Sequence, residues 1–410
     1  MAYLIRRHVH DLLLDALGDT RVVVLLGARQ TGKSTLSQEI VARDHPADAV
    51  SLDNRALQEA AAADPAGFLA GFPGPVLIDE IQRVPDMLFA IKDAVDRDPT
   101  PGRFLLTGSA NILTAPRIQE ALTGRAEYIT LWPFSQAEIN SSEGTFVDQL
   151  LDGRPPWVKN APVGRDAFVS IVARGGYPEA REREGTRRRR WYASYIRSIV
   201  ERDLRDVADA HKLEYVPRLL RLIAAQAANL FAPTTMSDKL QLDNDTIKSY
   251  TLLLETVFIV KRIQAWTPSI GNREVHKEKV YIADSGLLAH LLGADEQRIA
   301  SDSQVTGRIL ENFVAMEIAR LREHAKIETN QYHYRRDRDE IDVILETTSG
   351  NIAGVEVKAS ATIDVADYRA LGKLRDARGE RFSAGVVLYT GSSTIPLADR
   401  IWGVPISGLW

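Results

Sequence analysis

Gly27-Ala28-Arg29-Gln30-Thr31-Gly32-Lys33-Ser34 follows the pattern G-x-x-x-x-G-K-S, and its flanks are the ones that pattern requires. The apolar run Arg21-Val22-Val23-Val24-Leu25-Leu26 reads as a strand leading in. Ser34-Thr35-Leu36-Ser37-Gln38-Glu39-Ile40-Val41 reads as a helix leading out. Glycines let successive N–H groups converge on phosphate oxygens, and the helix N-terminus adds its positive end. Lys33 is placed to reach the β and γ phosphates, and the Ser34 hydroxyl to ligate Mg²⁺. Gly27, Ala28, Arg29, Gln30, Thr31, Gly32, Lys33, Ser34 and Thr35 are therefore the expected nucleotide contacts, with ATP and Mg²⁺ as ligands. ATP is preferred over GTP because no N-K-x-D guanine-reading motif occurs.

Pro75-Val76-Leu77-Ile78-Asp79-Glu80 is a short apolar run ending in two acids. It reads as a buried parallel strand that delivers carboxylates to the edge of a sheet. Asp79 is the expected Mg²⁺ partner and Glu80 the group that polarises the attacking water. One acid suffices for the metal, so the adjacent pair points to hydrolysis rather than binding alone.

Working outward, the first section alternates strands and helices. Strands are expected at Ala49–Asp53, Pro75–Ile78, Arg103–Ser109 and Glu127–Leu131, the alternation of a parallel sheet wrapped by helices. The fourth strand of this section ends in Thr107 and Ser109, with Asn111 just beyond. A polar side chain there can sense a γ-phosphate, or simply close a hydrogen-bonding turn.

The chain has 410 residues, 45% hydrophobic and 26% charged, enough for several packed cores. It has no cysteine, which excludes disulfides and thiolate metal sites. No apolar run approaches the length of a membrane span, and a cytoplasmic location with no membrane partner is the expectation. Net charge is −4, yet between Arg181 and Arg205 nine arginines face four acids. The helical run from Arg188 to about Asp206 carries Trp191, Tyr195 and Ile199 at helical spacing. Its basic side could follow a phosphate backbone or could be a solvated face.

From Tyr215 to about Trp266 the pattern is helix (Val216–Leu230), short helix (Ser237–Leu242), third helix capped by Asn244-Asp245, and strand (Val257–Ile263). This succession is similar to a winged helix-turn-helix, whose third helix would expose Thr246, Lys248 and Ser249. Further on, Arg308–Val314 begins a helix carrying Glu311, and strands are expected at Glu340–Leu345 and Ile352–Lys358. Residues two apart on a strand share a face, so Glu356 and Lys358 point the same way. With Asp342 alongside, two carboxylates and an ammonium form the grouping that metal-assisted phosphodiester hydrolysis needs. The alternative is a set of surface ion pairs.

Taken together, these residues resemble prokaryotic AAA+ type P-loop ATPases joined to a C-terminal DUF4143 domain, nearly end to end. The resemblance rests on the Gly27–Lys33 loop, Leu77-Ile78-Asp79-Glu80-Ile81-Gln82, Leu106-Thr107-Gly108-Ser109, Leu122-Thr123-Gly124-Arg125 and Leu131-Trp132-Pro133-Phe134-Ser135. It extends through Gly175-Gly176-Tyr177-Pro178, Tyr281-Ile282-Ala283-Asp284-Ser285-Gly286-Leu287 and Leu310-Glu311-Asn312. The resemblance implies an α/β fold with a P-loop NTPase core over 1–135 and a helical lid or linker with the basic helix over 136–210. A winged-helix-like domain over 211–300 and a C-terminal α/β domain similar to PD-(D/E)xK nucleases over 301–410 complete it. By the same resemblance Glu311, Asp342 and Glu356 are metal ligands and Lys358 is catalytic. Arg125 is then a catalytic arginine reaching a neighbour's γ-phosphate, with a salt bridge to Glu127 or another local acid as the alternative. The expected protein is a homo-oligomeric ATPase, a ring or partial ring, whose nuclease-like domain handles nucleic acid. The alternative is a nucleotide-driven switch or regulator, toxin-antitoxin-like regulators included, whose nuclease-like domain only binds or assembles.

Overall fold

Five short strands of four or five residues build the first sheet: β1 (Val22–Leu26), β2 (Asp48–Ser51), β3 (Val76–Asp79), β4 (Phe104–Gly108) and β5 (Ala126–Thr130). This computed structural model describes residues 5–109, 122–161, 164–204, 213–273 and 275–410; Asn111 and Arg205 lie outside them. Contacts divide the chain into two compact units, Met1–Phe134 with Arg197–His211 and Leu252–Ile259, and Ser135–Ile196 with Lys212–Thr251 and Val260–Trp410. Among the described residues no helix is long and apolar enough to cross a membrane.

In the first unit all pairings are parallel and the strand order is β2-β3-β4-β1-β5. The strands β1, β3 and β4 are buried throughout, which is why they read as unbroken apolar runs rather than alternating ones. Leu13, Leu17, Leu36 and Ile40 from the helices Val9–Asp19 and Lys33–Arg43 pack on Val23, Leu25, Leu77 and Leu105 of the sheet. Because β4 lies between β1 and β3, the strand carrying Thr107 near its end separates the glycine loop from the two acids. The register sets Leu25 opposite Thr107 and Ile78 opposite Leu106. The expected strands are all present, each within one or two residues of its expected ends.

The second unit contains two sheets. A small antiparallel one has the order β6-β8-β7, from β6 (Asn229–Leu230), β7 (Val260–Ile263) and β8 (Lys279–Ile282). The helix Val216–Ala225 ends five residues before the expected Leu230, because Ala228 turns left-handed and Asn229 pairs with Val280. The next helices are Pro233–Leu240 and Asn244–Thr256. The strand expected from Val257 begins at Val260, after Phe258 at φ 58°.

The larger sheet is mixed, in the order β13-β14-β12-β11-β10-β9. Its strands are β9 (Thr329–Arg336), β10 (Asp339–Thr347), β11 (Ile352–Lys358), β12 (Phe382–Tyr389), β13 (Ile395–Ala398) and β14 (Ile401–Pro405). The helix Val365–Arg378 lays Leu371 and Leu374 on Ile341, Ile344 and Phe382 of one face. The whole is the α/β architecture expected, a P-loop-type parallel core with a further sheet domain towards the C-terminus.

Candidate functional site: a glycine loop beside paired acids, and a lysine among carboxylates

The glycine loop of the first unit takes its shape from three left-handed residues. Gly27 has φ 154°, Gln30 61° and Gly32 98°. A Cβ on Gly27 would stand 2.2 Å from the Leu131 carbonyl oxygen, so only glycine fits there. Thr31 Oγ1 donates to the Ala28 carbonyl at 2.9 Å. Lys33 Nζ donates to the carbonyls of Gly27 and Ala28, both at 2.9 Å, which holds the ammonium inside the loop. Arg7 clamps the loop from outside, donating to Thr31 O at 2.7 Å and Trp132 O at 2.6 Å with its guanidinium over the Phe134 ring.

Around the loop the acids are fixed by hydroxyls. Ser34 Oγ donates to Asp79 Oδ1 at 2.9 Å, and Ser51 Oγ donates to Asp79 Oδ2 at 3.2 Å. Thr107 Oγ1 donates to Asp79 Oδ1 and accepts the Glu80 N–H at 3.2 Å. Glu80 itself sits at φ 61°, a left-handed position that turns the chain sharply after β3. Gln82 Nε2 then donates to Glu80 Oε2 and, at 3.0 Å, to Ser109 Oγ. Ser34, Asp79, Thr107, Glu80, Gln82 and Ser109 thus form one connected polar chain at the carboxyl edge of the sheet. Loop amides, an ammonium, a hydroxyl and a carboxylate gathered at one edge fit a nucleotide triphosphate with Mg²⁺. Lys33, Ser34 and Asp79 would hold the pair, and the metal would supply charge neutralisation on the phosphates.

Thr107 is therefore committed to Asp79 and Glu80, while Ser109 Oγ accepts from Gln82. Arg125 makes a two-pronged ion pair with Asp96, Nε to Oδ1 at 2.6 Å and Nη2 to Oδ2 at 2.8 Å, and donates to the Thr123 carbonyl. Asp96, rather than Glu127, is the local acid it meets.

In the second unit Glu311 comes from the helix Ser303–Leu321, Asp342 from β10, and Glu356 and Lys358 from β11. Lys358 Nζ lies 3.4 Å from Glu356 Oε1, as expected for neighbours on one face, and 3.4 Å from Asp367 Oδ1. Asp342 Oδ2 accepts the Val357 N–H at 3.0 Å. All four residues line one cleft of about 570 Å³ that Arg335, Arg338 and Arg369 also border.

A lysine that no motif marks pairs with three of the carboxylates that line it. Lys279, first residue of β8 and buried, brings Nζ to 2.7 Å from Glu311 Oε1, 2.7 Å from Glu340 Oε1 and 3.4 Å from Asp342 Oδ1. Burial opposes its charge, but Tyr281 and the three carboxylates raise its pKa, so it stays an ammonium. Burial and repulsion from Asp342 push the Glu311 carboxyl up to about 8, against the pull of Lys279. Burial and Asp342 likewise raise Glu356, against Lys358, and among the described residues Glu356 Oε2 is buried without a hydrogen-bond partner. Among the described residues no group of three or more acids or histidines is set to hold a metal ion. Of the expected ligand set, Glu311 and Asp342 share the Lys279 ammonium with Glu340, whereas Glu356 pairs with Lys358. Only the orphaned Glu356 oxygen favours a metal.

Residues 19–140 match an AAA domain, 165–298 a domain of unknown function, DUF8612, and 306–409 a second, DUF4143. The Thermotoga maritima RuvB Holliday junction branch migration motor covers 63% of this chain and 87% of its own at 18% identity, with a TM-score of 0.29 too low to carry an argument. The uncharacterized proteins Rv2008c of Mycobacterium tuberculosis and Mb2031c of Mycobacterium bovis are each 30% identical over 401 residues, spanning 98% of this chain and 83% of theirs. At that identity over that span the chain belongs to their family, and it is an AAA-type P-loop ATPase carrying a DUF4143 domain.

Proposed function

We propose that this protein hydrolyses ATP with Mg²⁺ and, as a homo-oligomer, couples nucleotide state to a nuclease-like C-terminal cleft that handles nucleic acid. The observation that carries the ATPase part is the connected chain from Ser34 through Asp79 and Thr107 to Glu80. In this reading Gly27 to Thr35 bind the phosphates, Ser34 and Asp79 hold Mg²⁺, and Glu80 polarises the attacking water. Ser109 senses the γ-phosphate, and Thr107 positions the two acids. Arg125 leaves Asp96 to reach a neighbouring subunit's nucleotide. ATP turnover with and without single-stranded DNA, duplex DNA and RNA tests this reading. Stimulation by one of them supports coupling, and indifference to all three removes it.

One observation favours a second reading of the C-terminal cleft. Lys279 already pairs with Glu311, Glu340 and Asp342, so an ammonium supplies a counter-charge to these carboxylates without a metal. In that reading the nuclease-like domain binds or assembles and does not cut, and the protein is a nucleotide-driven switch. Nicking of labelled DNA and RNA in Mn²⁺, with and without ATP, separates the two. Cleavage lost on Asp342→Asn supports the first reading, and no cleavage under any condition supports the second.

A further inference from the structure

The arginine-rich run has a use that neither reading absorbs. In the helix Gly185–Ser198, Arg187, Arg189 and Arg190 are exposed, whereas Arg188 and Tyr192 turn inward. They meet Arg174 and His290 across a cleft of about 500 Å³ in the second unit. Tyr192, which lines it, is held from behind by a buried carboxylate. Asp284 accepts the Tyr192 hydroxyl at 2.9 Å, the Leu287 N–H at 2.8 Å and the Gly176 N–H at 2.6 Å. A Cβ on Gly175 would stand 2.4 Å from Asp284 Oδ1, so the Gly175-Gly176 turn is pressed onto that carboxylate. The one buried acid nearby is therefore saturated by neutral donors and gives the arginines no salt bridge.

What remains is guanidinium left out of ion pairs, although three arginines and three acids border the cleft. Arg181 donates to the Gly175 carbonyl at 3.0 Å and Arg188 Nε to the Arg183 carbonyl at 2.9 Å. Among the described residues the Arg174 guanidinium has no hydrogen-bond or ion-pair partner, and its Nε is buried. Glu184, Asp295 and Glu296 also border the cleft, but none lies in ion-pair range of Arg174 or Arg188. Burial and mutual repulsion hold Arg181 and Arg188 below the usual arginine range. Burying unpaired cations is costly, and a planar fork of donors with no acceptor matches an oxyanion. His290 stacks on Tyr192 with centroids 5.8 Å apart, and burial and Arg189 lower its pKa, so it brings a neutral, flat side to the cleft. A cleft of this volume holds a phosphate together with an attached nucleoside.

We propose that this cleft binds a phosphate group, with Arg174 as principal ligand and Arg188 beside it. The phosphate is borne either by a free nucleotide or by a nucleic-acid backbone. The proposal stands apart from the ATPase and nuclease readings, since it uses none of their residues.

The test uses the full chain with Lys33→Ala, which disables phosphate binding at the glycine loop, and titrates inorganic phosphate, AMP and a single-stranded oligonucleotide by calorimetry. Adding Arg174→Gln should weaken at least one probe by roughly tenfold or more, the loss of a charge-assisted hydrogen bond. It should not lower the melting temperature without ligand, because the substitution relieves repulsion from Arg181 and Arg188. AMP bound more tightly than phosphate identifies a nucleotide. The oligonucleotide bound more tightly than either identifies a backbone, and equal binding identifies phosphate alone. No binding of any probe to the Lys33→Ala chain, or affinities unchanged by Arg174→Gln, overturns the proposal. Should Arg174→Gln melt below its parent, Arg174→Lys decides instead. It keeps the charge and forfeits the fork, and unchanged affinity there is equally fatal.

Discussion

Ser34 Oγ lies 2.9 Å from Asp79 Oδ1 although the residues are 45 apart in sequence, and Thr107 donates to the same oxygen from the intervening strand. The strand order makes this meeting unavoidable. With β4 between β1 and β3, a hydroxyl at the end of β4 is the nearest polar group to an acid at the end of β3. A polar edge above an otherwise apolar parallel sheet is where such folds do their chemistry.

Lys33→Ala should abolish nucleotide binding, while Glu80→Gln should keep binding and lower turnover by about 10²–10⁴-fold, the usual share of a general base. Thr107→Val keeps the shape and removes the donor to Asp79, so the Mg²⁺ concentration for half-maximal rate should rise by roughly 10–100-fold. Steady-state ATPase assays across Mg²⁺ concentrations read both effects. Unchanged turnover in Glu80→Gln would take the water-polarising role away from Glu80.

Arg125 is held by Asp96 within its own chain, so its proposed action on a neighbour requires that pair to open. Asp96→Asn should then preserve or raise ATPase activity, and Arg125→Ala should lower it. Mixing Lys33→Ala with Arg125→Ala chains should restore part of the rate, since each supplies what the other lacks. A monomer by light scattering, fully active with ATP bound, contradicts this proposal.

The glycine loop, the two acids and all five core strands were legible in the sequence because each is a local pattern: an apolar run, a turn, a following helix. Arg7 and Gln82 were not. Arg7 reaches Trp132 across 125 residues, and nothing near Arg7 in the sequence marks it as more than a charged N-terminal residue. Lys279 escaped for a related reason. A lysine opening the short strand Lys279-Val280-Tyr281-Ile282 reads as an exposed end, and only the pairing of β6, β8 and β7 and the approach of Glu311, Glu340 and Asp342 bury it. The helix ends at Ala225 and the strand start at Val260 were misplaced where Ala228 and Phe258 adopt left-handed backbone, which their side chains do not announce.

The raised Glu311 carboxyl has a pH signature. Its folded value of about 8 exceeds its ordinary 4.5, so between those values the folded state holds more protons than the unfolded one. Stability from this group therefore falls as pH rises through that window. Glu311→Gln cannot titrate, so the wild type should lose stability relative to it between about pH 5 and pH 8. Urea denaturation of both proteins at several pH values measures the difference. A difference that is flat, or that grows in favour of the wild type with pH, contradicts the raised value.

Lys279 offers the sharpest test of the C-terminal cleft, because it separates a cation site from a sealed ion-pair cluster. Lys279→Met leaves Glu311, Glu340 and Asp342 facing one another without their counter-charge, and should destabilise the chain by about 3–5 kcal/mol, the usual penalty for breaking a buried pair. If the carboxylates can accept a divalent ion once the ammonium is gone, Mn²⁺ should recover much of that loss. The same Mn²⁺ should barely move the wild type, whose lysine stands in the way. Adding Asp342→Asn to Lys279→Met relieves repulsion and should raise the melting temperature while abolishing the Mn²⁺ response. Lys358→Ala supplies the control, since Lys358 pairs with Glu356 and Asp367 and not with that cluster. It should leave any Mn²⁺ response of Lys279→Met intact while removing cleavage if the cleft cuts. Mn²⁺ without effect on Lys279→Met would show that the ammonium is a structural ion and that the cleft binds or assembles without metal.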